Sequence, residues 1–284
     1  MGSPPRIGFI ALGNLGMPMA VRLLTQGFDV VAFDTSEARR GEFAEKGGTV
    51  GSIEDVLDCT TVCVAAPDER ALRSLLDDGT LSRGVAVTHL VLHSTVLPTE
   101  ARALAADLAE LGVTLVEAPV SGGPGRARTG ELSLFLGGEE ALDGAVDAVL
   151  DALATERFHL GPIGSASAVK LANQLVLFAT VDALHEAFAL TSTFDVEPAD
   201  ATAALTSSTG DTWAGRNWGF FDDIVADYDE SGSAPEDRPW RKDLREFVEA
   251  CRASSLPAPL AEHVLASVGD RIEQHAREHA KRGR

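Results

Sequence analysis

Three polar side chains share one face of an otherwise apolar stretch, Gly161–Leu190: Lys170, Asn173 and Gln174. Their spacings, i, i+3 and i+4, bring them together on a helix. A lysine ammonium among apolar neighbours is costly to bury without a partner or a cavity. A lone helical lysine commonly snorkels to water along its own stem, but two amides on the same face favour a polar pocket. Lys170 is therefore expected to face a site.

A second chemical cluster lies near the N-terminus, where Arg6–Leu12 reads as a strand and runs into Ala11-Leu12-Gly13-Asn14-Leu15-Gly16. This is the glycine pattern of a phosphate-binding turn, with Ala11 in place of its first glycine. Gly13 would let backbone approach a pyrophosphate, and Gly16 would let the following helix pack close to the strand. The helix N-terminus would offer N–H groups and a positive dipole end. Asp34 ends the next strand at about the 20-residue spacing of the ribose-binding acid, which accepts from the hydroxyls and repels a 2′-phosphate. Its structural alternative is a helix cap. NAD is the expected cofactor, and Arg39 and Arg40 one turn further on keep NADP open.

Two weaker motifs follow. Glu117-Ala118-Pro119-Val120-Ser121-Gly122-Gly123 places a serine hydroxyl and backbone N–H groups at a strand end, suited to a carboxylate, although such glycines are often only a turn. Trp240-Arg241-Lys242-Asp243-Leu244 is a charged helix start, which taken alone is a solvated helix end.

The elements that must carry these residues alternate through the first half. Strands are expected at Arg6–Leu12, Phe28–Phe33, Thr61–Ala66, Val85–Leu92, Thr114–Val116, Leu132–Leu136 and Arg157–Leu160. Helices are expected up to Leu24, from Ser36 to Lys46, from Pro67–Asp68 onward, and over Pro98–Leu111 and Glu140–Leu153. This is a βαβ pattern and implies an α/β fold with a parallel sheet. Beyond Gly161 only helical patterns remain, broken by loop-like Ser207–Gly219 and Asp229–Pro239. The long stretch after Gly161 is apolar nearly all round and is expected to be a buried helix. The expected division is residues 1–161 and 162–284.

The 284 residues carry a net charge of −19, which argues against nucleic acid and anionic membrane as partners. Uninterrupted apolar runs fall short of a membrane span. Cys59, Cys63 and Cys251 form no zinc or disulfide pattern and read as reduced residues of a cytoplasmic protein. His275 and His279 have metal-capable i, i+4 spacing, but an exposed terminal helix explains them, and no metal is expected.

Taken together, IGFIALGNLGMPMA, HSTVLP, EAPVSGG, GPIGSASAVKLANQ and RKDL, in this order, resemble the β-hydroxyacid dehydrogenase family. That family includes 3-hydroxyisobutyrate dehydrogenase, tartronate semialdehyde reductase and, more distantly, 6-phosphogluconate dehydrogenase. The resemblance implies an N-terminal Rossmann doubly wound sheet, a long interdomain helix and an all-α C-terminal domain for substrate and oligomerisation, in a homodimer or homotetramer. It implies hydride transfer between NAD(P) and a small 3-hydroxy acid or aldehyde acid. Lys170 would be the general acid/base, Ser121 and Gly122 would hold the substrate carboxylate, Asn173 or Gln174 would orient the substrate, and Lys242 would close the site. Ala11, Gly13, Asn14, Leu15, Gly16 and Asp34 would hold the dinucleotide, with Pro67, Ser94 and Thr95 on its nicotinamide side and Lys242 nearby.

The chain departs from the pattern at Ala11, at Arg126 where a small residue is usual, and at Gln174, where many members carry asparagine. Two other readings remain. An imine or specialised-ketone reductase on the same scaffold is disfavoured by the retained Ser-Gly-Gly loop and Lys170. A non-catalytic cofactor-binding interaction protein is disfavoured by the presence of Lys170. The loop Ser207–Pro239, with Trp213, Trp218 and Phe220, is expected to shape the pocket.

Overall fold

The computed structural model describes residues 5–66, 73–74, 81 and 86–282. The chain divides into two compact units, Met1–Lys170 and Leu171–Arg284.

In the first unit, strands β1 (Arg6–Ile10), β2 (Asp29–Phe33), β3 (Thr49–Val50), β4 (Thr61–Val64), β5 (His89–Leu92) and β6 (Thr114–Glu117) form one sheet in the order β3-β2-β1-β4-β5-β6. Every pairing is parallel. Parallel strands covered on both faces become apolar throughout, and all four residues of β4, Thr-Val-Cys-Val, are buried. Helices α1 (Gly16–Thr25), α2 (Glu37–Glu45), α3 (Ile53–Leu57) and α4 (Pro98–Glu110) connect the strands. One core, with Phe9, Leu12, Met19 and Leu23, covers one face. Another, with Val31, Val62, Leu92 and Leu104, covers the opposite face. The chain moves outward from β1 through β2 to β3 and then returns to β4 on the other side of β1. That reversal makes the carboxyl ends of β1 and β4 a topological switch point.

A smaller sheet of β7 (Val120–Ser121), β8 (Leu132–Leu136) and β9 (Ala154–His159) follows, with α5 (Gly123–Thr129) and α6 (Gly144–Leu153) between its strands. The two-residue strands β3 and β7 are too short to show a period. Helix α6 begins later than its composition implies, because the Asp143 side chain accepts from Ala145 N–H and caps it there. The expected helix start at Pro67–Asp68 lies outside the described residues. Cys59 and Cys63 are free and buried, and burial pushes their thiols up to about 11 and about 12. Neither supplies a thiolate near neutral pH.

The long helix α7 (Ser165–Ser192) begins in the first unit and continues into the second. There it joins α8 (Pro198–Thr206), α9 (Trp213–Arg216), α10 (Phe220–Glu230), α11 (Pro239–Ala253) and α12 (Pro259–Arg282). Phe178, Val181, Leu184 and Phe188 of α7 recur every three or four residues and pack with Trp240, Leu244, Val268 and Ile272. Asp182 on the same helix pairs with Arg271 at 2.9 Å. The expectation of a helix buried all round is corrected: Val176 and Leu190 are 67% and 63% exposed. One small helical core covers only one stripe of so apolar a helix. By length and composition α7 also meets the requirement for a membrane span, unlike the uninterrupted runs considered above. Asp182 within it is buried, and the stripe of Phe178, Val181, Leu184 and Phe188 belongs to the core of this unit.

Candidate functional site

Ala11 follows β1 with φ of 72°, in the left-handed region. That conformation costs a residue with a Cβ about 1–2 kcal/mol and suits glycine. It is held because Ala11 N–H donates to Phe33 O at 2.9 Å and because its own carbonyl lies under Gly16. A Cβ added at Gly16 would lie 2.0 Å from that oxygen, so only glycine fits there. At Gly13 an added Cβ would meet nothing within 4 Å, leaving open space beside the turn. Leu15 gives α1 no side-chain cap; in the first turn Met17 N–H donates to Gly13 O at 3.0 Å and Met19 N–H to Leu15 O at 3.3 Å, and Pro18 has no N–H. Open space beside Gly13 and the close approach of Gly16 to the strand end are what a pyrophosphate-binding turn requires, and this turn fits a dinucleotide. Ala11→Gly is expected to stabilise the first unit by about 0.5–1 kcal/mol, after the greater freedom of glycine in the unfolded chain is offset. Denaturant unfolding monitored at β1 reads this, and a loss of stability would contradict the strain at Ala11.

Asp34 uses both carboxylate oxygens on backbone: Oδ2 accepts from Leu12 N–H and Oδ1 from Ser36 N–H, each at 2.7 Å. It thus ties the glycine turn to the end of β2, while Ser36 caps α2. Arg39 reaches back and donates to Asn14 Oδ1 at 3.2 Å, and Arg40 donates to the carbonyls of Asp34 and Thr35. Acid and guanidinium groups therefore flank the same turn.

Beyond β5 the HSTVLP motif places Ser94 and half-buried Thr95. Ser94 Oγ is buried without a hydrogen-bond partner among the described residues. Pro67 lies outside the described residues. His93, which the sequence does not single out, is fully enclosed. Its Nδ1 lies 2.9 Å from Ala118 O, and since a carbonyl only accepts, Nδ1 carries the hydrogen. Burial lowers its pKa to about 4 from 6.5. Between those values the unfolded chain binds a proton that the folded chain refuses, so stability is lost as pH falls from 6.5 toward 4. His93→Asn is expected to flatten that slope by up to about 3 kcal/mol. Denaturation of both proteins at pH 7 and pH 4.5 would reveal it, and parallel slopes would refute it.

Ser121 lies in β7, and Gly122 follows with φ of 132°. A Cβ at Gly122 would lie 3.0 Å from Arg126 Cδ, so the arginine stem packs against the loop where the family pattern has a small residue. Preceding this loop, Glu117 at the end of β6 is fully buried. Its carboxylate accepts from Gly164 N–H and, through Oε1, from Ser167 N–H at 3.2 Å and Ser167 Oγ at 2.6 Å. It therefore caps α7 from the sheet and fixes the helix turn that carries Lys170, itself buried. The sequence places Glu117 within a motif without assigning it this task, because its partners stand about fifty positions away.

In the second unit the amides expected to orient substrate are joined to a charge cluster. Asn173 Nδ2 donates to Gln174 Oε1 at 3.2 Å, and Gln174 Nε2 donates to Asp243 Oδ2 at 2.7 Å. Lys242 Nζ lies 3.4 Å from Asp243 Oδ1 and 3.0 Å from Glu246 Oε1. Lys242 is nearly buried, and these carboxylates raise its pKa against the opposing effect of burial. Lys242 is thus an anchored cation; Asp243 lies within a motif that gave it no role, and Glu246 lies outside every motif.

The aromatic loop residues assemble around histidines of the same unit. Trp218 packs edge-on against His185 and His275, at centroid distances of 4.9 Å and 5.1 Å. Trp213 packs edge-on against Phe220 at 5.0 Å. His275 is bonded through Nδ1 to Asp222 at 2.8 Å, so it differs from the exposed residue expected of a terminal helix, whereas His279 is exposed. Among the described residues no group of three or more potential ligands could hold a metal.

Residues 6–161 match the family model described as the NAD binding domain of 6-phosphogluconate dehydrogenase. Residues 164–281 match that described as NAD-binding of NADP-dependent 3-hydroxyisobutyrate dehydrogenase. Among curated relatives, 2-(hydroxymethyl)glutarate dehydrogenase of Eubacterium barkeri is 30% identical over 264 residues, covering 90% of this chain and 85% of that one. The solved structure of Mycobacterium tuberculosis 3-hydroxyisobutyrate dehydrogenase with L-serine superposes with a TM-score of 0.78 at 25% identity, covering 96% of this chain and 95% of that one. A Streptomyces aurantiacus imine reductase shares the fold, with a TM-score of 0.67 at 21% identity over 96% and 95% of the two chains.

Proposed function

The chain belongs to the β-hydroxyacid dehydrogenase family and is an NAD(P)-dependent oxidoreductase, and from that premise we propose that its substrate is a small 3-hydroxy acid or the matching aldehyde acid. The observation that carries this reading is the arrangement of the first unit. A dinucleotide turn, the Ser121–Gly122 loop and a helix capped by Glu117 that presents Lys170 all belong to one compact body. The small molecules named with two relatives support it. 2-(Hydroxymethyl)glutarate and L-serine both carry a primary alcohol on the carbon next to the one bearing a carboxylate.

When bound, the nicotinamide ring accepts or returns the hydride. The Ser121 hydroxyl and the N–H groups after it hold the substrate carboxylate, which fixes the carbinol carbon and removes the entropy of finding it. In oxidation Lys170, as the free amine, takes the proton of the alcohol while its C–H pair of electrons departs as hydride; in reduction its ammonium returns that proton to the forming alkoxide. Asn173, Gln174 and Lys242 are assigned to substrate orientation and binding. Ala11, Gly13, Asn14, Leu15, Gly16, Ser94, Thr95, Pro67 and Lys242 are assigned to the cofactor. NAD is favoured over NADP because the Asp34 carboxylate would repel a 2′-phosphate. The reaction needs no metal.

The protein is proposed to work in the cytoplasm as a homodimer or homotetramer. The apolar stripe of α7 that its own unit leaves open, with Val176 67% and Leu190 63% exposed, suits a second copy of the chain. An absorbance assay at the nicotinamide band tests the whole reading by crossing NAD and NADP with a panel of 3-hydroxy acids and aldehyde acids. Turnover of one such acid with NAD supports it. Turnover of cyclic imines alone would move the chain to the imine-reductase reading.

A further inference from the structure

Helix α11 buries more negative than positive charge at Lys242. The Lys242 ammonium faces two carboxylates, Asp243 at 3.4 Å and Glu246 at 3.0 Å, with side-chain exposures of 10%, 6% and 17%. An exposed i, i+4 pair contributes little, but this one is largely withdrawn from water. Asp243 has a second partner, the Gln174 amide at 2.7 Å. Glu246 does not: its Oε2 is buried without a hydrogen-bond partner among the described residues.

We propose that Glu246 is a positioning residue for Lys242: its carboxylate holds the ammonium on α11, and its neutralisation releases that ammonium to an anionic group of the substrate. This rests on the assignment of Lys242 to substrate binding. With both acids ionised the cluster carries a net charge of −1 and opposes a carboxylate ligand. With Glu246 neutral the net charge of these three groups is zero, and Lys242 loses the nearer of the two carboxylates. The groups that face the cluster agree with Glu246 as the member that changes. On its own helix these are Lys242, Asp243 and, more remotely, Arg245. From α7 comes the neutral amide of Gln174, and from α10 the Tyr228 phenol, which burial and Asp243 keep protonated. Burial, reinforced by Asp243 and opposed by Lys242, pushes the Glu246 carboxyl up to about 7. Its charge therefore changes within the working range of a cytoplasmic enzyme.

The test exploits the fact that the chain has only four lysines, Lys46, Lys170, Lys242 and Lys281. In protein labelled with carbon-13 lysine, the Lys242 side-chain resonance is identified by its loss in Lys242→Met. It is then followed from pH 5.5 to 9, alongside KM for the acid that the enzyme turns over. The expected result is a step in the Lys242 resonance near pH 7 and a KM several-fold higher at pH 8.5 than at pH 6. Both should vanish in Glu246→Gln, with KM held near its low-pH value. A Lys242 resonance without a step near neutrality overturns the inference, as does the same step in Glu246→Gln. If Glu246→Gln does not fold, the unmodified protein decides by the presence or absence of the step. If no hydroxy acid is turned over, the substrate reading falls, while the resonance still reports whether Glu246 governs Lys242.

Discussion

Replacing Lys170 with methionine is expected to lower kcat by about 10³-fold, the middle of the range for a general acid/base, while the affinity for NAD stays within about twofold. The two outcomes separate because the lysine and the dinucleotide turn stand on different elements. The turn depends on Ala11, Gly13 and Gly16 after β1, whereas Lys170 lies in the first turns of α7, anchored through Ser167 to Glu117. Methionine keeps the length and apolar stem of lysine, so packing is retained and only the exchangeable proton is lost. Stopped-flow turnover and fluorescence titration of NADH measure the two quantities. Activity within tenfold of the unmodified enzyme would remove lysine from the mechanism. Loss of NADH binding would mean that Lys170 supports the fold of the first unit.

Replacing Glu117 with alanine is expected to destabilise the first unit by about 3–5 kcal/mol, comparable to breaking a buried charged network. Its side chain is fully buried and receives three donors, Gly164 N–H, Ser167 N–H and Ser167 Oγ. Truncation leaves all three unsatisfied at a helix N-terminus, where an anion is otherwise favoured by the dipole. A domain that is stable by only about 5–15 kcal/mol loses a large part of its margin. Glu117→Gln, which keeps the shape but turns an amide N–H toward donors, should lie between the two. Denaturant unfolding gives the ordering. Where the variant still folds, kcat should also fall, because the start of α7 is no longer fixed to the sheet. A Glu117→Ala protein with unchanged stability would show that α7 needs no cap from β6.

Local pattern by itself determined much of this molecule. Alternating strand and helix signals located most elements within a few residues, because the parallel strands are buried on both faces and the helices are marked by caps such as Ser36 and by Pro98. The dinucleotide turn was legible because its geometry is local: Ala11 and Gly16 touch within six positions. The resemblance of five ordered motifs named the family, and the family models over residues 6–161 and 164–281 agree with it. Short pairings such as β3 and β7 left no period to read.

Tertiary structure alone decided which polar groups share charge. Glu117 meets Ser167 fifty positions on, Gln174 meets Asp243 sixty-nine positions on, and His275 meets Asp222 across fifty-three. Sequence spacing carries no trace of such encounters, because desolvation and hydrogen bonding depend on what the fold brings alongside. The same cause explains α7. Its apolar composition predicted burial, but how much of a helix is covered depends on the size of the core beside it. The second unit covers the stripe of Phe178 and Phe188 and leaves Val176 and Leu190 open.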